Sequence, residues 1–578
     1  MRNYLAHIVA LSLWLFFAGW LMVQAQPSRI PKPVDLRELD YETAFVFYDA
    51  PVGASTSGKP LDAGDFNADG CGDVAVAGMS ADFPMSEGYR NEAGHVRVIM
   101  DLCEISGVVD MEVVSESSYQ VVTFYGAHSG DMTGTEVYVG DFNADGYDDL
   151  LFGAQNYDGV EQNRPNAGAA YLVLGNADFA DMSDVDLRQP THNVLVLYGA
   201  TAEDRFGLWV DGGDFNSDGF DDLLIGANQA DGENDNRINA GEAWILFGAK
   251  DMQTQYGSII DIAQPPQTAT RIIGVDYDDL FGSTALGGDV NADGYDDAII
   301  SASLWRESAG IEGQELGGGD GPDNRRYNSG ETFIIFGQDD FLGRVIDLAA
   351  FLDETGNPTS EDITVIYGPD PNDLLGEELA VGDINGDGHN ELALGSLVSA
   401  GINNRMVEAG EAWLIYTHEP FAGRAFDLRD PDTERTVVIY PDQADSMGGD
   451  ILRFGDINND SYDELFYGAP TYDVVGQDSV VRTDAGLLTI LFGSENGLEN
   501  RNGTIVIPLP LYDDSRIQYI LGADTDDEMA YGLAIYDFDG DGYRDVAPNG
   551  MRGDGPNNNR PNAGEIYILD GMLFVFQP

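Results

Sequence analysis

The chain has 578 residues, 43% of them apolar, and a formal net charge of −73 from 101 acidic and 28 basic side chains. That length exceeds one ordinary core and that apolar share excludes a disordered chain, so several domains or one repeat array is expected. The charge excludes nucleic acid and anionic membrane surfaces, which need a basic footprint, and suits cation binding or a salt-adapted surface, toward which the scarcity of lysine (Lys32, Lys59 and Lys250) also leans.

At the N-terminus, Arg2 precedes an apolar run from Ile8 to Val23, and Val23-Gln24-Ala25 presents small residues where a signal peptidase reads. The run is shorter than the roughly 20 residues of a spanning helix. Residues 1–25 are therefore read as a signal peptide, 26–42 as a linker and 43–578 as the folded unit, with an uncleaved anchor as the alternative. No second long apolar run follows, so no membrane insertion is expected after cleavage, and the protein is expected to be secreted or held at the cell surface, or in a periplasm. The two cysteines, Cys71 and Cys103, permit a disulfide in an exported chain; two buried thiols satisfy the same count.

After the first strand-like run, FVFYDA (Phe45 to Ala50), an acidic nonapeptide recurs. It begins at Asp65, Asp141, Asp214, Asp289, Asp383, Asp456 and Asp537, in steps of 76, 73, 75, 94, 73 and 81 residues. Such a period marks one supersecondary unit copied along the chain. The third unit holds four short runs, VLVLYG, FGLWV, DLLIGA and EAWILFG, rich in β-branched, leucine and aromatic residues and bounded by Gly, Asn or Asp. These are strands with turn punctuation, and no sustained helical period follows the leader. Four strands in each of seven units predict an all-β fold, a seven-bladed β-propeller of four-stranded antiparallel blades with a calcium loop in each blade. An array of β-sandwiches is the rival.

The pairs Phe206-Gly207 and Phe281-Gly282, the acidic loop, and the following Gly153-Ala154, Gly226-Ala227 and Gly468-Ala469-Pro470 resemble FG-GAP repeats, which build the seven-bladed propeller of integrin α chains. The resemblance implies strand order: FGLWV innermost as A, DLLIGA as B, EAWILFG as C and the next VIYG-like run as D. The opening run Thr43 to Ala50 then holds a D slot and completes the last blade, whose C strand is EIYILDG. Closure of this kind removes exposed edges.

The acidic loop offers oxygen ligands at positions 1, 3, 5 and 9 and a main-chain carbonyl at 7, with Gly usually at 6 for the sharp turn, which suits Ca²⁺. The expected ligands are Asp65, Asn67, Asp69, Cys71 and Asp73 in the first copy, then Asp141, Asn143, Asp145, Tyr147 and Asp149 in the second. Copy three offers Asp214, Asn216, Asp218, Phe220 and Asp222; copy four offers Asp289, Asn291, Asp293, Tyr295 and Asp297. Copy five offers Asp383, Asn385, Asp387, His389 and Glu391; copy six offers Asp456, Asn458, Asp460, Tyr462 and Glu464; copy seven offers Asp537, Asp539, Asp541, Tyr543 and Asp545. An EF-hand would need a carboxylate at position 12 and flanking helices. Up to seven structural Ca²⁺ ions are expected, with copy six weakest because Ser461 replaces the glycine.

The A–B loops share one face, so a protein or glycan ligand is expected on the other. There the B–C loops carry Arg90, Arg164, Arg237, Arg326, Arg482 and Arg560, each four residues before a strand-opening Gly, with Arg405 offset by one. The D–A loops carry Asp131, Asp204, Asp279, Asp373 and Asp445. Either these arginines and aspartates pair blade to blade, or the arginines converge on an anion. The longest B–C segment, Leu304 to Glu331, and Arg552-Gly553-Asp554 are further candidate contacts. The six histidines are scattered, and no nucleophile, zinc or phosphate-loop motif is present. The expectation is a non-enzymatic adhesion or recognition scaffold of integrin α type. With 43–578 assigned to the propeller, no appended catalytic domain is expected. A carbohydrate-active or lipid-cleaving enzyme, or a subunit of a larger surface complex, is the alternative.

Overall fold

A computed structural model describes residues 33–575 except 40–43, 49–59, 86–87, 101, 104–105, 111–118, 191–192, 234–235, 305–316, 323, 402, 419, 477–478, 499–503, 508–515, 556–557 and 559. The leader and residues 305–316 and 323 of the Leu304 to Glu331 insertion thus lie outside the described residues.

Seven sheets form the blades of a propeller. In the third, strand A (Val210–Gly213) pairs with B (Asp222–Ala227), B with C (Glu242–Leu246) and C with D (Thr270–Ile273), all antiparallel. The expected four strands are one too few. A fifth strand, Val345–Asp347, runs parallel along the outer edge of D. Every blade has such a strand: Val185–Asp186, Ile259–Asp261, Ala425–Asp427, Thr504–Ile507, Val34–Asp35 and Gly107–Asp110 serve the others. Each comes from the segment between strands C and D of the next unit, or its counterpart in the permuted last unit. These runs are too short for periodicity to reveal, and only the neighbouring blade supplies their partner.

The N-terminus closes the ring twice. Ala44–Tyr48 pairs antiparallel with Glu565–Leu569 as strand D of the seventh blade, as the resemblance implied. Val34–Asp35, in the stretch read as a linker, is the fifth strand of the sixth.

B strands such as Asp149–Ala154 and Glu464–Ala469 are buried along their whole length. Each blade is covered on both faces by its neighbours, so these runs are continuously apolar rather than alternating. One layer, for example, packs Val96 and Val98 of the first blade against Phe152 and Tyr171 of the second. The disulfide Cys71–Cys103 forms, tying the first acidic loop to the segment after strand C of its blade.

Candidate metal loops and the opposite face

Each acidic loop folds on its own carboxylates. In copy two, Asp141 accepts from the backbone N–H of Asp145 and Gly146 at 3.1 and 3.0 Å, and Asp145 accepts from Tyr147 N at 3.1 Å. Copies one, three and four repeat these bonds and add one from position 5 N to the position 3 amide, as with Asp69 N to Asn67 Oδ1 at 3.0 Å. Copy five closes the same way on Asp383, Asn385 and Asp387, with His389 supplying its N–H. In copy six Asp456 accepts from Ser461 N at 2.9 Å, although Ser461 sits at φ +71°. That left-handed conformation is why Gly holds position 6 elsewhere.

The position 9 carboxylate lies beneath the loop. Asp149 is fully buried and accepts from Phe142 N at 3.2 Å and from Gly175 N at 2.7 Å, anchoring the loop to the end of strand C. Asp222, Asp297 and Asp545 do the same with Gly248, Gly337 and Gly571. Burial, reinforced by the carboxylates at positions 5 and 1, pushes Asp149 and Asp222 up to about 8, and Glu391 and Glu464 up to about 9. Carboxylates so raised stay charged near neutrality only beside a cation.

The donor set fits a hard cation. Carboxylate oxygens of Asp537, Asp539 and Asp541 lie within 4.8 Å of one another. Asn143 Oδ1, Asn458 Oδ1 and Asp537 Oδ1 are buried with no hydrogen-bond partner. These occupy positions 3, 3 and 1, and orphaned buried oxygens call for an explanation. In copy one the side chain of Cys71 is taken by the disulfide, which leaves its carbonyl as the candidate ligand.

Position 8 was missed from sequence. Asp148, Asp221, Asp296 and Asp463 accept at 2.7–2.8 Å from the N–H of the position 1 aspartate of the preceding blade: Asp65, Asp141, Asp214 and Asp383. The doubled Asp-Asp or Asp-Glu was the available signal. In these four copies the Gly before position 1 serves the same clasp, since a Cβ on Gly140 would lie 2.8 Å from Asp221 Oδ2.

On the opposite face the arginines do pair, but not with the predicted partners. Arg90 reaches Asp186 at 2.9 and 2.7 Å, Arg237 reaches Asp347 at 2.9 and 2.9 Å, and Arg482 reaches Asp35 at 2.8 and 3.0 Å, each by two parallel bonds. Arg164, Arg326 and Arg560 pair with Asp261, Asp427 and Asp110. Every partner lies on a fifth strand. In the fifth blade that place is held by Val506, opposite Tyr440, and there alone the arginine, Arg405, is displaced and exposed. Two of the D–A aspartates instead cap their own turns: Asp131 accepts from His128 N at 2.7 Å and Asp204 from Thr201 N at 2.9 Å. Arg552-Gly553-Asp554 is absorbed in loop bonding, with Arg552 on Glu528 at 2.7 Å and Asp554 accepting from Asn562 N at 3.0 Å.

The FG-GAP repeat model matches residues 133–173 and 206–246, which hold strands A to C of the second and third blades. The chain carries FG-GAP repeats. This FG-GAP propeller is 35% identical over 103 residues to integrin alpha-3 of Mus musculus, across 18% of the chain and 9% of that protein. A longer match is to the phosphatidylinositol-glycan-specific phospholipase D of Bos taurus, 25% identical over 427 residues, 66% of this chain and 48% of that enzyme. The Homo sapiens enzyme is 24% identical over 429 residues. The chain thus spans about half the length of the curated relatives it matches. A solved exotype rhamnogalacturonan lyase, YesX, superposes loosely, with a TM-score of 0.36 and 11% identity over 91% of this chain and 75% of that one.

These relatives overturn the reading of a non-enzymatic adhesion scaffold. Similarity to an enzyme extends over most of the FG-GAP propeller, whereas the integrin match covers little more than one unit. The loop motifs that suggested integrins specify blade geometry, and blade geometry does not specify function. No helix among the described residues is long and apolar enough to cross a membrane.

Proposed function

We propose that this chain belongs to an extracellular lipid-cleaving enzyme of the phospholipase D type, acting on glycosylated phosphatidylinositols, with the propeller as its calcium-stabilised scaffold. The carrying observation is the 427-residue similarity to the phosphatidylinositol-glycan-specific phospholipase D. An extracellular setting is supported by the apolar N-terminal run and by the Cys71–Cys103 disulfide, which persists in oxidising compartments.

The residues at positions 1, 3, 5, 7 and 9 of the seven loops hold Ca²⁺ in this reading. Bound Ca²⁺ neutralises loop carboxylates and supplies no reaction step. The loops and the position 8 clasps rigidify one face. The loops of the other face are left to engage the glycan of the substrate.

The test uses the full chain with Ca²⁺ and a glycosylated phosphatidylinositol in detergent, with mass spectrometry of the lipid product. Phosphodiester hydrolysis, together with retention of the glycan headgroup on immobilised protein, is the expected result. Absence of both overturns the reading.

A further inference from the structure

The innermost strands begin around the propeller axis on the face away from the acidic loops, and there a funnel opens. Its wall breaks the repeat. The same strand positions hold Thr135-Glu136 in the second unit, Leu208-Trp209 in the third, Ser283-Thr284 in the fourth and Glu377-Glu378 in the fifth. A wall serving packing alone would keep one residue type around the ring, as the glycine before each acidic loop is kept in six of seven units.

The polar part of this wall accepts hydrogen bonds and donates few. Thr135, Ser283 and Thr284 each spend their hydroxyl proton on a main-chain oxygen: Gly207 O at 2.9 Å, Leu280 O at 2.6 Å and Glu377 O at 2.8 Å. Each thereby turns only lone pairs toward other partners. Glu136, Glu377, Glu378 and Asp450 add carboxylates, of which the last three are more than nine-tenths buried. The guanidinium of Arg453 is bonded to Glu378 at 2.6 Å and to Leu452 O at 2.8 Å. Apart from Gln155 the remaining wall is apolar and includes Trp209, Leu208, Leu304 and Leu397.

A ligand for this wall carries positive charge, several donors and a hydrocarbon skeleton. An anion is repelled by the carboxylates. A bare divalent ion leaves the indole and leucines without purpose. Among the described residues, the groups of three acidic or sulfur side chains close enough to share an ion lie elsewhere, at Asp69 with the disulfide and at Asp537, Asp539 and Asp541.

We propose that the axial funnel binds an organic ammonium group, carried by an amino sugar or by a choline-type headgroup. The carboxylates and hydroxyl lone pairs receive the ammonium and any hydroxyl protons, and Trp209 takes the carbon skeleton or the cation on its face. This inference stands on the funnel alone and does not depend on the hydrolase reading.

The experiment titrates the Ca²⁺-loaded full chain with glucosamine, choline, glucose and inorganic phosphate, followed by tryptophan fluorescence and calorimetry. An ammonium compound is expected to bind at least about tenfold more tightly than glucose, with phosphate not binding. Glucosamine ahead of choline identifies the amino sugar, and the reverse order identifies the headgroup. Asp450→Asn, close in shape to the parent, should lower ammonium affinity about tenfold or more while leaving glucose binding unchanged. Trp209→Leu should weaken the favoured ligand and abolish the fluorescence change, with its melting curve checked against the parent. Equal binding of glucosamine, choline and glucose, no binding of any, or displacement of the ammonium compound by added Mg²⁺ alone overturns the proposal.

Discussion

The two faces of the propeller handle a charge of −73 in different ways. On the loop face the carboxylates crowd one another, and each loop is held by backbone N–H groups that bond its own aspartates. On the opposite face the carboxylates that matter meet the chain's own guanidinium groups in six pairs. The loop face is therefore expected to depend on the medium and the arginine face on the sequence. Each arginine pair also pins a fifth strand, so it secures the joint between consecutive units. The loops secure a joint too, through the position 8 clasp.

Removing Ca²⁺ should show the largest difference. Extracellular sites at tenfold saturation contribute about 1.4 kcal/mol each, so the seven loops together contribute roughly 10 kcal/mol. Dialysis against chelator should lower the melting temperature strongly, and metal analysis of the untreated protein should find close to seven Ca²⁺. One ion or none would mean that the loops stand on backbone bonds alone.

The arginine face is broken at a single residue. Arg482 and Asp35 are both almost fully buried, so Asp35→Asn leaves an unmatched guanidinium and should cost about 3–5 kcal/mol. Arg405→Met, at the one unit without the pair, should change stability by less than about 0.5 kcal/mol. Denaturant unfolding of the two variants checks the contrast. Equal effects would remove the fifth-strand pairs as the cause.

A smaller effect is expected at the clasp. Asp148→Ala deprives Asp65 N of its acceptor and should cost about 1–3 kcal/mol, with or without Ca²⁺ if the clasp acts independently of the ion. Smallest is Ser461→Gly, which relieves a left-handed serine and should stabilise by about 1 kcal/mol. It should also bring the sixth loop closer to the others in Ca²⁺ affinity, measured by competition with a chromophoric chelator.

The sequence by itself determined the number of blades, the position of each acidic loop and the closure of the last blade by Ala44–Tyr48. These features are local or repeated: an Asp-x-Asn-x-Asp-Gly turn is written in adjacent residues, and a copied unit announces itself by its period. The arginine partners were out of reach for the opposite reason. Arg237 and Asp347 are 110 residues apart, and Asp347 sits on a three-residue strand with no periodicity of its own. Only the neighbouring blade, by offering an unpaired outer edge, makes that segment a strand and brings its carboxylate to the guanidinium. The funnel was hidden likewise. Glu136, Trp209, Glu377 and Asp450 look unrelated along the chain, and they share a wall because every unit directs the start of its innermost strand to the same axis.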